Sequence, residues 1–440
     1  MADRPTAHLS DYCSSISDGD HQAPPKADFG TPFITISAMN DGRLDLSKAT
    51  RFVPQSYFDG LHPARRAQTG DVLYSVTGSF GIPASVESDT PFVFQRHIAL
   101  LRPEPEICDS KWLAYLLAAP QIFEQSTAIA TGTAQLTVPL TGLRNLKVPV
   151  TTLSEQRRIV AKLDALTARL ARARAELDRV PVLAARLRAS VLREVFSPSN
   201  LARWQTVRME DQIAEGLIGL VRSKAEQGDT GVPYIRMSHY DLDGRINDEK
   251  LTFVDCSKAE LARFQLQPGD VLFNTRNSVE LVGKVTIWPQ DMPGRVYNNN
   301  ILRLRFAADI DPRFAFRYMM SPFFRDLMEQ EKSATTSVAA IYQRSLYSAP
   351  LPVPSIGEQE ASARKIDNSF ARADRLEAEA TRARALLDRL ESALLAKAFR
   401  GELAPQDSND EPAQVLLDRI RAQRAAAPTA KRGRRARSSG

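Results

Sequence analysis

The sequence predicts an α+β protein built as a tandem pseudo-repeat, two globular domains of mixed strand and helix joined by two long helices. Three observations predict it. Residues 149–196 and 352–399 share a pattern at a constant offset of 203 positions: Pro149-Val150 matches Pro352-Val353, Glu155-Gln156 matches Glu358-Gln359, Arg186-Leu187 matches Arg389-Leu390, and Phe196 matches Phe399. Both stretches space apolar residues by alternating steps of four and three, as a coiled-coil seam does. The blocks ahead of them alternate short apolar runs with turn residues and add one or two helical segments, which is the α+β pattern.

In chain order, the first domain spans 1–148. Its Pro32-Phe33-Ile34, the turn Asp41-Gly42-Arg43-Leu44, the turn and strand Gly70-Asp71-Val72-Leu73, and the strand Ile98-Ala99-Leu100-Leu101 each have a counterpart in the second domain, 201–351. The counterparts are Pro233-Tyr234-Ile235, Asp243-Gly244-Arg245-Ile246, Gly269-Asp270-Val271-Leu272 and Ile301-Leu302-Arg303-Leu304. A helical segment follows in each, near Trp112 and near Phe314.

The central helical region, 149–200, sets its seam at Ile159, Leu163, Leu166, Leu170, Ala173, Leu177 and Val180. The C-terminal helical region, 352–403, sets its own at Ile366, Ser369, Ala373, Leu376, Ala380, Ala383, Leu387, Leu390 and Leu394. Pro149 and Pro352 sit ahead of the helices, where a missing amide hydrogen is harmless, and Gly401 follows the second as a stop signal. Pro181 should kink or interrupt the first helix. The first helical stretch carries net charge +5 and the second zero, which favours pairing a first with a second copy over two firsts. Residues 404–440 read as a short helix followed by a basic, disordered tail.

The 43% apolar and 25% charged residues, in a chain of 440, are those of a soluble globular protein. No apolar run is long enough for a bilayer and the first residues lack a signal-peptide core, so the expected location is the cytoplasm, with no membrane partner. Cys13, Cys108 and Cys256 are far apart and suggest neither a disulfide framework nor a zinc site. The net charge of +6 is a property of the tail, because Arg421, Arg424, Lys431, Arg432, Arg434, Arg435 and Arg437 lie in its last twenty residues without an acid. Residues 1–150 carry −3 and 201–350 are neutral, so any DNA-binding surface in the domains must be local.

Catalytic signals are missing. Gly283-Lys284 lacks the rest of a phosphate loop, the five histidines are scattered, and no motif of the type that amino-methyltransferases use to hold a flipped base occurs. What remains are polar, turn-rich segments at matching places. Ser75, Thr77 and Ser79 stand against Asn274, Arg276 and Asn277; Gln95 and Arg96 against Asn298, Asn299 and Asn300; Thr133 and Gln135 against Thr335 and Thr336. Asn, Gln and Arg can read a base edge with two hydrogen bonds, whereas Ser and Thr discriminate less and often contact phosphates. A coiled-coil scaffold with two protein-binding domains would use the same segments as ordinary solvated loops.

The duplicated layout resembles the specificity (S) subunit of type I restriction-modification systems. The helix entries with Pro149, Glu155 and Gln156, and with Pro352, Glu358 and Gln359, are similar to the family's, as are the exit Leu-Leu-Ala-Lys-Ala-Phe-Arg-Gly-Glu-Leu at 394–403 and the segment Asp410-Glu411-Pro412-Ala413 ahead of an amphipathic helix. The resemblance covers about residues 1–425. It implies two target-recognition domains, an antiparallel coiled coil, and a non-catalytic subunit that reads a bipartite sequence in double-stranded DNA with a spacer set by the helices. It further implies two modification (methyltransferase) subunits and restriction/translocase subunits as partners. This chain would bind no cofactor; S-adenosylmethionine, ATP and Mg would serve the partners.

Overall fold

The computed structural model describes residues 5–19, 24–40, 42–247, 249–334, 338–405, 407 and 409–426. The chain forms two compact units, Met1–Glu176 with Ala383–Gly440, and Leu177–Arg382. Each unit therefore takes one globular block together with part of each long helix.

The two blocks share a sheet core. In the first unit an antiparallel ladder runs in the order Cys13–Asp18, Ile98–Pro103, Val72–Ser75, Pro83–Ser85, and Gly42–Leu44 extends it in parallel beside Pro83–Ser85. In the second the order is Ile213–Ile218, Ile301–Phe306, Val271–Asn274, Val285–Ile287. Val72–Ser75 and Val271–Asn274 are buried at all four positions, as strands covered on both faces must be. A small sheet of Thr31–Ile34, Arg51–Val53 and Val93–Phe94 flanks the first ladder, and Val232–Ile235, Thr252–Val254 and Val296–Tyr297 repeat it in the second unit with one further strand, Gln227–Gly228. A ribbon closes each block by pairing its beginning with its end: Thr6–His8 lies against Lys147–Pro149, and Gln205–Arg208 against Pro350–Val353.

The long helices are Leu153–Val195 and Ile356–Phe399. Thr152 Oγ1 accepts from the Glu155 amide at 3.3 Å, and the Glu358 carboxylate accepts from the Ser355 amide at 3.2 Å and the Ser355 hydroxyl at 2.8 Å, so both helices start on a hydroxyl residue followed three residues later by Glu. Gly401, at φ 77°, ends the second in the left-handed conformation that glycine adopts without strain. Pro181 does not interrupt the first helix, contrary to the sequence expectation. One missing hydrogen bond in 43 residues is tolerated where the flanking turns are anchored, here by buried Leu170 before it and Ala184 and Val191 after it.

Within each unit the helices pair antiparallel. In the first, Arg174 bonds Glu391 at 2.6 Å and Asp388 at 2.8 Å, and past the end of the second helix Lys162 donates to the Leu403 carbonyl at 2.8 Å and Arg158 meets Asp410. In the second, Arg188 bonds Asp374 at 2.5 Å and Glu377 at 2.7 Å, and Lys365 bonds Glu194. The seam of the second helix differs from expectation. Leu376 and Leu390 are 42% and 47% exposed, while Ala363, Ile366, Phe370, Ala373 and Ala380 are buried and Glu377 and Glu391 turn toward arginines of the first helix. Two polar crossings therefore occupy positions that an apolar-only seam would have given to leucine. Beyond it, helix Ala413–Ala426 packs Leu416, Leu417 and Ile420 into the first unit's core beside Trp112, Ile159 and Leu163. The tail residues Lys431, Arg432, Arg434, Arg435 and Arg437 lie outside the described residues.

The Glu-Gln entry motif has a physical cause. Gln156 is fully buried; its Nε2 donates to the carbonyls of Ile107 at 2.8 Å and Thr151 at 2.9 Å, and its Oε1 accepts from the Asp109 amide at 2.7 Å. Gln359 repeats the pattern on Asp309 at 2.9 Å, Pro354 at 3.0 Å and the Asp311 amide at 2.8 Å. Asp109 and Asp311 in turn cap the next helices, by accepting from the Trp112 and Arg313 amides. Gln156→Leu or Gln359→Leu leaves three buried backbone groups unpaired, each costing about 1–3 kcal/mol. Either variant is expected to lose about 3 kcal/mol or more in denaturant unfolding, whereas Arg157→Ala, exposed on the same turn, should stay within about 0.5 kcal/mol.

Candidate nucleic-acid interface

The strand that carries Ser75 ends where three segments meet, and the strand that carries Asn274 ends in an equivalent junction. In the first unit the Val76 amide donates to the His97 carbonyl at 2.8 Å, and the Val76 carbonyl accepts from Val138 at 2.8 Å. In the second the Thr275 amide donates to the Asn300 carbonyl at 2.9 Å, and the Thr275 carbonyl accepts from Ile341 at 2.9 Å. The turn that follows is closed alike, by Ser75 to Ile82 and Gly81 to Ser75 in one, and by Asn274 to Lys284 and Gly283 to Asn274 in the other. The three sequence segments singled out in the first block, and those at Asn274–Asn277 and Asn298–Asn300 in the second, thus come together through backbone bonds, independently of the side chains they carry.

The candidate residues divide into two groups. Ser75 and Asn274 are fully buried and turned inward. Ser75 Oγ donates to the Ser79 carbonyl and accepts from the Ile82 amide, while Asn274 Nδ2 donates to the carbonyls of Arg276 and Asn300, both at 3.0 Å, and its Oδ1 accepts from Asn277 Nδ2 at 2.8 Å. Thr77 is nearly buried and accepts from Thr137 Oγ1 in an isolated bridge. Asn298 is buried, and its Oδ1 accepts from the Asn300 amide. These residues shape the loops.

The others face outward. In the first unit Ser79, Arg96, Thr133 and Gln135 are exposed and Gln95 is half-buried. The Gln135 amide lies over Gly78, so closely that a Cβ there would meet its Nε2 at 2.9 Å. In the second unit Arg276 and Asn299 are exposed, and Asn277 and Asn300 are half-buried. Arg276 and Asn277 form a short strand against Ala339–Ala340, which also pairs with Ser333–Ala334. Thr335 and Thr336 lie outside the described residues. The sequence did not single out Tyr342, 59% exposed and one residue past the Thr275–Ile341 bond.

The surroundings also differ between units. Phe80 and Phe123 stack at 5.5 Å beside the first loop. In the second unit a cleft of about 400 Å³ lies under the loop, floored by Met319, Phe324 and Met328, with Lys332 donating to the Val279 carbonyl at its rim. Among the described residues no cluster of His, Cys, Asp and Glu is arranged to hold a metal ion, and no helix is long and apolar enough to cross a membrane.

Ser75→Ala and Asn274→Ala should lower the stability of their units by about 1–3 kcal/mol, since each leaves buried loop groups unpaired. Arg276→Ala, at an exposed site, should change stability by no more than about 0.5 kcal/mol. Thermal unfolding of the three variants separates residues that build the junction from residues it displays.

Residues 20–179 match the family model described as the type I restriction modification DNA specificity domain. The chain is similar to the EcoKI specificity subunit of a type I restriction enzyme from Escherichia coli (strain K12), with 26% identity over 427 residues, 92% of this chain and 91% of that one. It is similar at 24% identity to the StySPI specificity subunit of Salmonella potsdam, over 90% of this chain and 89% of that one. Its fold is that of a chain in a structure describing complex assembly and conformational transition of the type I R-M system, with a TM-score of 0.70, 21% identity, and coverage of 92% of this chain and 100% of that one. The HsdS subunit of Thermoanaerobacter tengcongensis superposes with a TM-score of 0.58 at 21% identity, over 91% of this chain and 97% of that one.

Proposed function

We infer that the chain, which belongs to the family of type I restriction-modification specificity subunits, is the non-catalytic DNA-reading member of such a system, each of its two units reading one half of a bipartite target. The observation that carries the two-reader assignment is the repeated junction: identical backbone bonds at Val76 and Thr275 present different side chains. A constant frame with variable exposed groups is what two readers of different half-sites need.

Within that frame Arg276 and Asn299 in the second unit, and Arg96 and Gln135 in the first, are the residues assigned to base edges. Their guanidinium and amide groups match guanine and adenine in the major groove. Ser79 and Thr133 suit phosphates, which fix position without carrying sequence. Ser75, Thr77, Asn274 and Asn298 act one step back, by holding the loops. Methyl transfer and cleavage belong to partners: two modification subunits that use S-adenosylmethionine, and restriction/translocase subunits that use ATP and Mg. A duplicated chain offers such partners two equivalent docking faces.

Arg276→Ala should relax recognition of one half-site, because a lost base contact costs about 1–3 kcal/mol at its own position. The check is the methylated sequence, read genome-wide, of cells that carry the variant with its modification subunits. Equal weakening at both half-sites would place Arg276 in assembly instead.

A further inference from the structure

Arg188 is 3% exposed, deep in the helix pair, and its guanidinium bonds Asp374 at 2.5 Å and Glu377 at 2.7 Å. The same two carboxylates also bind Arg245, at 2.5 and 2.7 Å, and Arg245 belongs to the recognition block rather than to a helix. Burial opposes ionisation of Asp374, but its bonds to Arg245 and Arg188 outweigh that and hold its carboxyl below the usual range; the bond to Arg188 does the same for Glu377. All four groups are thus charged at neutral pH, and the cluster joins the block to the helices.

Arg245 closes a rigid turn. Asp241 Oδ1 accepts from the amides of Asp243 and Arg245, both at 2.9 Å, and Gly244 takes φ 76° in a place where a Cβ would strike Phe316 at 2.6 Å. The far side of the turn is tied to the sheet strand Val285–Ile287, because Thr286 Oγ1 donates to the Gly244 carbonyl at 2.7 Å. Just before that strand, buried Lys284 donates to the carbonyls of Met237 at 2.5 Å and Tyr240 at 2.7 Å, gripping the chain that leads into the turn. Lys284 and Gly283 are also the residues whose backbone closes the displayed loop on Asn274. An unbroken series of bonds therefore runs from the helix pair through Arg245 and the turn to the loop that carries Arg276. The first unit is built otherwise: Ile82 stands where Lys284 does, and the matching turn joins its sheet by backbone pairing of Gly42 with Ala84, with Arg43 exposed.

We propose that Arg245, latched to Asp374 and Glu377 beside Arg188, is a positioning residue that holds the second unit's reading loop in register with the helix pair, and so sets the fidelity of one half-site only. The proposal rests on the assignment of one half-site to each unit. Its test uses the chain assembled with methyltransferase subunits, on duplexes with one base pair changed in one half-site or the other, and Arg276→Ala identifies the half-site that belongs to the second unit. Networks of this kind shift coupling by about 0.5–2 kcal/mol. Arg245→Ala should therefore lower discrimination at that half-site about two- to thirtyfold. Discrimination at the other half-site should be unchanged, Arg245→Lys should be intermediate, and Arg43→Ala should alter neither. No change in Arg245→Ala, or equal loss at both half-sites, overturns the latch. A parent complex that ignores changes in one half-site overturns the half-site assignment itself, and that result is read before any latch variant is made.

Discussion

Two buried glutamines govern the architecture. Gln156 and Gln359 each spend the whole side-chain amide on backbone groups, two carbonyls and one amide, drawn from the globular block and from the turn into the helix. An uncharged carboxamide, which only Gln and Asn carry, both donates twice and accepts, so burial costs little once all three bonds form. The bonds fix where each long helix leaves its block. Ribbons at Thr6–His8 with Lys147–Pro149 and at Gln205–Arg208 with Pro350–Val353 bring the two ends of each block together beside that exit. A block is thereby a cassette whose two ends close on each other beside its helix, and its outer loops can vary without disturbing that frame.

Partner choice between the helices rests on charge placed within the seam. Arg174 pairs with Glu391 and Arg188 with Glu377, and the repeat offset of 203 relates Arg174 to Glu377 and Arg188 to Glu391. Two first helices would set arginine against arginine at these crossings, and two second helices would set glutamate against glutamate. Only a first helix with a second satisfies both, which specifies pairing more sharply than the difference in net charge.

The repeat, the two long helices and the matched strands are legible because apolar spacing and turn residues recur, at an offset of 203 in the helices and at 199 to 203 in the blocks. The alignment of Ser75 with Asn274 was right, since both close the same turn. Burial was not legible: a serine or asparagine at a strand end looks the same in sequence whether it braces its own loop or faces solvent. The second seam was misplaced at Leu376 and Leu390 for a related reason. Periodicity rewards the apolar residue, whereas the true seam position is held by Glu377 or Glu391, whose arginine partners are distant in the chain. The local cost of Pro181 is visible in sequence but the buried residues that anchor the turns around it are not, and the Arg245 latch joins residues more than a hundred positions apart.

The central claim is that each block is a self-contained reader on a common frame. It is tested most directly by replacing residues 6–150 with residues 206–353, so that both units carry the same cassette, and by reading the methylated sequence of the assembled complex genome-wide. The account predicts that the target now contains the second unit's half-site twice and no longer contains the first. Retention of two different half-sites, in a complex that still assembles and methylates, would contradict it.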